Sequence, residues 1–237
     1  MKPYYQDALV TLYHGNALEL STKWSDAAVM VTDPPYGVNH SSHGKNEPTI
    51  VGEMRTGRSS RRVLTSEHTR IRDDVHSLWG EKPALIFGSW RAPRPHNTRF
   101  RLIWDKQIPG MGGVGIWKPQ DEEIYVCGDW PNPRTISRTD SSVLHFRALR
   151  GKARPAHPTP KPVDLMEYLI ERSPEGVVVD PFAGSGSTLV AATRQGRRSI
   201  GIEIEERYCE LTATRLASEA CKQPALEEPS LFAGWSA

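Results

Sequence analysis

The chain of 237 residues predicts a doubly wound α/β fold with a largely parallel sheet, and three stretches carry that prediction. The first is Val177-Val178-Val179-Asp180-Pro181-Phe182-Ala183-Gly184-Ser185-Gly186-Ser187-Thr188. Its β-branched run suits a strand covered on both faces, and a glycine turn then leads into a helix over 189–193. The second, Ser199-Ile200-Gly201-Ile202-Glu203, reads as another buried strand ending in an acid. The third, Ala27-Ala28-Val29-Met30-Val31-Thr32, ends in Asp33-Pro34-Pro35-Tyr36-Gly37. In each case polar residues gather at the carboxyl end of an apolar strand, where open α/β sheets bind ligands.

The glycine turn narrows the ligand. Gly184 and Gly186 let a backbone approach a ligand without a Cβ in the way, and Ser187 or Thr188 can cap the helix. A phosphate loop of the Walker type needs a Lys before its Ser or Thr, and none is present. The dinucleotide pattern also fails, because Leu189 stands where its third small residue belongs. Glu203 follows at the spacing that places a carboxylate on ribose hydroxyls. A ribose-bearing ligand without a demanding pyrophosphate site is expected, and S-adenosylmethionine fits. The alternative is a tight strand–helix turn with an incidental acid.

Two consecutive prolines stiffen the loop after the third strand and deny the helical conformation to Asp33 and Pro34. The loop offers a carboxylate, backbone carbonyls and an aromatic ring. That set suits an amino group on a flat base: Asp33 and the Pro34 carbonyl accept its two hydrogens, and Tyr36 stacks on the ring. A rigid turn without chemistry is the alternative.

Asp33-Pro34-Pro35-Tyr36 together with Asp180-Pro181-Phe182-Ala183-Gly184-Ser185-Gly186-Ser187-Thr188 resembles the amino-methylating DNA methyltransferases. These modify adenine N6 or cytosine N4 using S-adenosylmethionine. The catalytic motif precedes the cofactor motif, as in the family's permuted beta group. His157-Pro158-Thr159-Pro160-Lys161-Pro162, Leu102-Ile103-Trp104-Asp105-Lys106, and Ile200-Gly201-Ile202-Glu203 with Tyr208 and Arg215 extend the likeness over most of residues 7–217. The resemblance implies a Rossmann-like class I methyltransferase sheet of seven strands, with an antiparallel element from the strands near 101 and 122 and a short recognition insertion. It implies catalytic roles for Asp33, Pro34, Pro35 and Tyr36. It implies cofactor contacts from Asp180, Pro181, Phe182, Gly184, Ser185, Gly186, Ser187, Thr188 and Glu203. Thr159 and Lys161 are implied near the methionine end of the cofactor. Asn16 departs from the family, which has an acid there; its amide can still bond an adenine ring of cofactor or target.

A hydrophobic content of 38% and a mean hydropathy of −0.52 predict long polar loops beside the core. The net charge of +2 leaves nucleic-acid contact to local patches rather than a global field. Cys127, Cys209 and Cys221 lack metal-ligand spacing and read as free thiols of a reducing compartment. With no apolar leader and no run of membrane-spanning length, a soluble cytoplasmic protein is expected. No metal is expected, because a sulfonium is already a good leaving group.

Along the chain, 9–14 alternates as a strand, and an amphipathic helix follows from Ala17 to about Lys23. Residues 38–74 read as a long loop carrying Arg55, Arg58, Arg61, Arg62, Arg70 and Arg72. It leaves directly from the Asp33 loop, placed to close over a flipped base, with a solvated loop as the alternative. A core strand spans 83–89, and Arg91, Arg94, Arg99 and Arg101 after it are candidate phosphate contacts or plain charged surface. Strands follow at 101–106 and 122–127, with a glycine-rich loop at 110–115 between them. Residues 129–156 hold the clearest electrostatic footprint for DNA: Arg134, Arg138, Arg147, Arg150, Lys152 and Arg154 interleaved with apolar residues. A basic linker is the competing reading. Pro162 opens a helix over 163–170, another helix covers 206–221, and a loose tail begins near Gln223.

One methyltransferase domain over 1–221 is expected, with a catalytic half (9–128), a recognition segment (129–156) and a cofactor half (157–221), followed by a tail at 222–237. The expected activity is site-specific transfer of methyl from S-adenosylmethionine to adenine N6 in double-stranded DNA. Cytosine N4 methylation and an inert DNA-binding scaffold are the alternatives. A homodimer and a cognate restriction enzyme are candidate partners.

Overall fold

Alternation along the central strands sorts their side chains onto two cores. The computed structural model describes residues 2–35, 66–108, 116–131, 140–149 and 160–221, with the side chains of 66–68 left aside. Strand β3 (Val29–Thr32) sends Val29 and Val31 to one face and Met30 to the other, and β8 (Val178–Asp180) divides Val178 and Val179 in the same way. Against the first face lie α3 (Val163–Glu171), through Leu165, Met166, Leu169 and Ile170, and α4 (Ser187–Arg194), through Ala191 and Ala192. Against the second lie α1 (Ser21–Trp24) and α2 (Ser66–Trp79), through Trp24, Val75 and Trp79. Helices on both faces make the fold doubly wound, as the sequence predicts.

The remaining strands are β1 (Tyr5–Gln6), β2 (Val10–His14), β4 (Ala84–Gly88), β5 (Thr98–Asp105), β6 (Asp121–Cys127), β7 (Val143–His145) and β9 (Ser199–Glu203). The sheet order is β1-β2-β9-β8-β3-β4-β6-β5-β7. Among the described residues this is nine strands rather than seven, because short strands extend both edges. The antiparallel element comes from β5 and β6, as the sequence predicts. Among the described strands only β6 opposes its neighbours in the body of the sheet, and β5, antiparallel to β6 and parallel to β7, runs with the parallel strands. Edge strand β7 lies inside the segment read as a recognition insertion. Its Leu144 is buried in the first core and Phe146 packs beside it, so part of that segment's apolar content belongs to the sheet.

Residues 66–79 correct the expectation of a loop over 38–74. They form α2, on which Arg72 is 2% exposed and bonds Asp73 and the Pro93 carbonyl. Its Arg- and Asp-rich composition hides the helical face that Val75 and Trp79 bury. Arg55, Arg58, Arg61 and Arg62, the loop at 110–115 and the tail at 222–237 lie outside the described residues.

The topology places the site. The chain moves outward one way through β8, α4 and β9, and the opposite way through β3, α2 and β4. Right-handed crossovers then require helices on opposite faces, and the chain reverses direction between β3 and β8. A crevice opens at such a switch point, beyond the carboxyl ends of the strands. Asp33 follows the end of β3, and Asp180 closes β8.

Candidate active site

Asp180 ties two neighbouring strands and a helix together. Its carboxylate accepts Thr32 Oγ1 at 2.6 Å on Oδ1, Thr188 Oγ1 at 2.6 Å on Oδ2, and the Phe182 N–H at 3.1 Å. Burial pushes its carboxyl up to about 6, against the opposing effect of those three donors. The residue before Asp33 and the first turn of α4 are thus bound to one carboxylate. Thr188 is committed to Asp180 rather than to capping, and the cap position of α4 is taken by Gly186 at φ 76°.

The glycine turn is held from both sides. In front, Glu203 at the end of β9 accepts the Gly184 N–H and the Glu205 N–H, each at 2.8 Å. Burial raises its carboxyl above the ordinary value, with those two N–H groups opposing. Behind, α5 (Glu206–Ala220) sends Thr212 Oγ1 to the Gly184 carbonyl at 3.0 Å and Arg215 to the Ser185 carbonyl. A Cβ on Gly186 would meet Thr212 Cγ2 at 2.5 Å. Glycine at 186 is therefore required by its left-handed backbone and by packing under α5.

Three neighbouring strands supply the surroundings of Lys161. Its ammonium lies 2.5 Å from Asp33 Oδ2 after β3, 4.8 Å from the centre of the Phe87 ring on β4, and 2.8 Å from Glu122 Oε1 on β6. Lys106 bonds the other Glu122 oxygen at 3.1 Å. Burial disfavours the charge on Lys161, but the Asp33 and Glu122 carboxylates outweigh it and hold the lysine well above its usual range. Burial likewise opposes ionisation of Glu122, and Lys161 with Lys106 prevail, holding its carboxyl below the ordinary value.

The other sequence-predicted residues fall into three groups. Pro34 is buried and Pro35 exposed after Asp33; Pro181, Ser185 and Ser187 are buried in the turn, and Phe182 is half-buried. Ser187 Oγ has no hydrogen-bond partner among the described residues. Asn16 accepts the Leu18 N–H at 2.9 Å and so shapes the turn into α1. Of the predicted DNA contacts, Arg147 is exposed, while Arg134, Arg138, Arg150, Lys152 and Arg154 lie outside the described residues, as do Tyr36 and Thr159. Arg99 and Arg101 are paired with Asp129 and Glu123, at 2.9 and 2.8 Å.

Glu122, Lys106, Thr32 and Thr212 are site residues that the sequence reading missed. For Glu122 a signal was present: the acids Asp121, Glu122 and Glu123 open an otherwise largely apolar strand, and alternation sends Glu122 and Glu123 to opposite faces. Glu123 goes to Tyr125 and Arg101, and Glu122 to Lys161.

Comparison with known proteins decides the family. The sequence pattern of the family described as DNA methylase matches residues 89–214, more than half of the chain. The type II methyltransferase M2.DpnII of Streptococcus pneumoniae is 49% identical over 263 aligned positions, covering 92% of this chain and 93% of that protein. The chain belongs to the amino-methylating DNA methyltransferases.

Two further type II methyltransferases are similar: M2.LlaDCHI of Lactococcus lactis subsp. cremoris, 44% identical across 91% of this chain and 92% of that protein, and M.ScaI of Streptomyces caespitosus, 28% identical across 92% and 85%. Among solved structures, the M1.HpyAVI–SAM complex matches with a TM-score of 0.60 at 20% identity, over 88% of this chain and 99% of its own. The PvuII DNA methyltransferase (cytosine-N4-specific) matches with a TM-score of 0.60 at 15% identity, over 90% and 88%. These likenesses show the fold.

This methyltransferase family uses S-adenosylmethionine, and the donor set here fits it. An ionised carboxylate has about four lone-pair sites, and the two backbone bonds to Glu203 leave acceptor capacity for ribose hydroxyls. Among the described residues of this methyltransferase, no helix is long and apolar enough to cross a membrane.

Proposed function

We propose that the protein is a site-specific methyltransferase of adenine N6 in double-stranded DNA. The observation that carries this reading is the position of Asp33: it directly follows the strand next to β8, one residue from Thr32, which shares Asp180 with Thr188 of the glycine turn. Aspartate rather than serine at 33 favours adenine over cytosine within the family resemblance.

In this reading Asp33 accepts one hydrogen of the target amine and the Pro34 carbonyl accepts the other. The two bonds draw the nitrogen towards a pyramidal geometry and free a lone pair otherwise delocalised into the ring. Asp33 also stands where the amine proton is lost. Bound S-adenosylmethionine supplies the methyl group on a sulfonium, a good leaving group. Glu203 takes the ribose hydroxyls, and the turn from Asp180 through Pro181, Phe182, Gly184, Ser185, Gly186, Ser187 and Thr188 forms the cofactor wall, with Asn16 and Thr159 beside it. The base must leave the duplex, at a cost of a few kcal/mol. Stacking on Tyr36, worth about 1–3 kcal/mol, offsets part of it. Arg134, Arg138, Arg147, Arg150, Lys152 and Arg154 meet the phosphates. The type II designation of the relatives supports a place beside a restriction enzyme.

The test is mass spectrometry of nucleosides from mixed-sequence duplex DNA incubated with the protein and isotopically labelled S-adenosylmethionine. Labelled N6-methyladenine is expected, and Asp33→Asn should abolish it. Labelled N4-methylcytosine would overturn the base assignment, and wild-type turnover by Asp33→Asn would overturn the catalytic role of Asp33.

A further inference from the structure

We propose that Glu122 is a positioning residue for methyl transfer: it shares the Lys161 ammonium with Asp33 and so sets how strongly Asp33 can engage the target amine. This rests on the catalytic reading of Asp33 given above.

An ammonium has three donors and a single charge. In Lys161 two carboxylates divide that charge, with Asp33 Oδ2 at 2.5 Å and Glu122 Oε1 at 2.8 Å. The side chain is 7% exposed, so water is a poor substitute for either partner. Glu122 is itself fixed, because Lys106 holds its second oxygen at 3.1 Å. Phe87 closes the remaining side, 4.8 Å from the ammonium to the ring centre. The row Asp33, Lys161, Glu122, Lys106 thus alternates in sign: Asp33 follows β3, Glu122 lies on β6 and Lys106 follows β5, while Lys161 reaches in from the segment before α3 over Phe87 of β4.

If Glu122 is made neutral, the undivided charge of Lys161 falls on Asp33. Asp33 then becomes a weaker acceptor for the amine and harder to protonate. If Lys106 is made neutral, Glu122 draws Lys161 away and the effect reverses. Charged groups acting on Asp33 include Lys161 from the segment before α3 and Asp180 from β8. Glu122 from β6 and Lys106 after β5 act through Lys161.

The experiment uses the full chain, duplex DNA and labelled S-adenosylmethionine, with kcat measured across pH and cofactor Kd by calorimetry. Glu122→Gln should lower kcat about tenfold and shift the acid limb of kcat to lower pH. Cofactor Kd should stay within about twofold. Lys106→Gln should shift the same limb to higher pH. A purely structural role for Glu122 would reduce the rate without moving the limb, and that result overturns the proposal. So does a Glu122→Gln enzyme with wild-type kcat and an unmoved limb. Should Glu122→Gln fail to fold, an unmoved limb in Lys106→Gln overturns it. Asp33→Asn in the same assay separates the two readings. If it is inactive while Glu122→Gln behaves as wild type, only the present inference fails; if it is active, the catalytic assignment fails first.

Discussion

Thr32 and Asp180 are joined side chain to side chain, Oγ1 to Oδ1 at 2.6 Å, across the boundary between the strand that leads to Asp33 and the strand that opens the glycine turn. Both are buried. Thr32→Val keeps the β-branched shape and removes the donor, leaving a carboxylate oxygen served by the Phe182 N–H alone among the described donors. Unfolding in urea at neutral pH should show a loss of about 1–3 kcal/mol, the cost of an under-satisfied buried acceptor.

The pH dependence of stability should carry the signature of Asp180. Its folded value, about 6, lies above the ordinary 3.8, so the folded state binds the proton more tightly. The stability this contributes is fully present below the ordinary value and is lost as pH rises through about 6. Asp180→Asn does not titrate. The stability of wild type minus Asp180→Asn should therefore fall by about 1–2 kcal/mol between about pH 5 and pH 7.5. A difference that stays flat across that window would place the buried charge elsewhere.

Gly186→Ala meets two obstacles at once: a backbone at φ 76° and the methyl of Thr212 at 2.5 Å. The expected loss is about 2–4 kcal/mol, from left-handed strain and overpacking together. Thr212→Ser removes that methyl and keeps the hydroxyl that serves Gly184. In the double variant the thermal midpoint should recover in part, and a double-mutant cycle should show coupling between the two sites.

Lys161→Met leaves two carboxylates facing one another without their shared cation. A loss of about 3–5 kcal/mol is expected at about pH 8, because breaking a buried ion pair strands the remaining charges. Glu122 owes its lowered carboxyl range to Lys161 and Lys106, so in the variant it protonates more readily and the destabilisation should shrink towards about pH 5. Urea midpoints at the two pH values test this.

Glu203→Gln replaces an acceptor of two backbone N–H groups by an amide whose nitrogen cannot accept. Cofactor affinity measured by calorimetry should fall about tenfold or more, roughly 1.4 kcal/mol. An unchanged Kd would remove Glu203 from the ribose site.

What the sequence made legible were groups whose local pattern already contains their chemistry. Asp33 beside two prolines, Asp180 before a glycine turn, and Glu203 at the end of an apolar strand all stand at the carboxyl ends of strands as read. Less legible was what depends on pairing across the sheet. Lys161 could be placed near the cofactor from resemblance, but its partner Glu122 comes from β6, and only the order β3-β4-β6 makes them neighbours. The packing of α5 behind Gly186 was not legible, because a glycine turn gives no hint of a helix from later in the chain. Helix α2 was hidden because its buried Arg72 looks like surface to a composition argument, although its charge is met by Asp73 and its N–H by the Pro93 carbonyl.

The packing of α5 against β2, through Cys209 and Leu216 on Val10 and Leu12, brings the last described helix beside the first long strand of the chain. Strands from before and after β7 thus share one continuous sheet, with β9-β8-β3-β4 in its interior. A circular permutant that joins α5 to β1 and opens the chain between β7 and α3 would restate the same pairings in a different genetic order. If that permutant folds with the Asp180 bonds to Thr32 and Thr188 intact, gene order and site geometry are separable in this architecture.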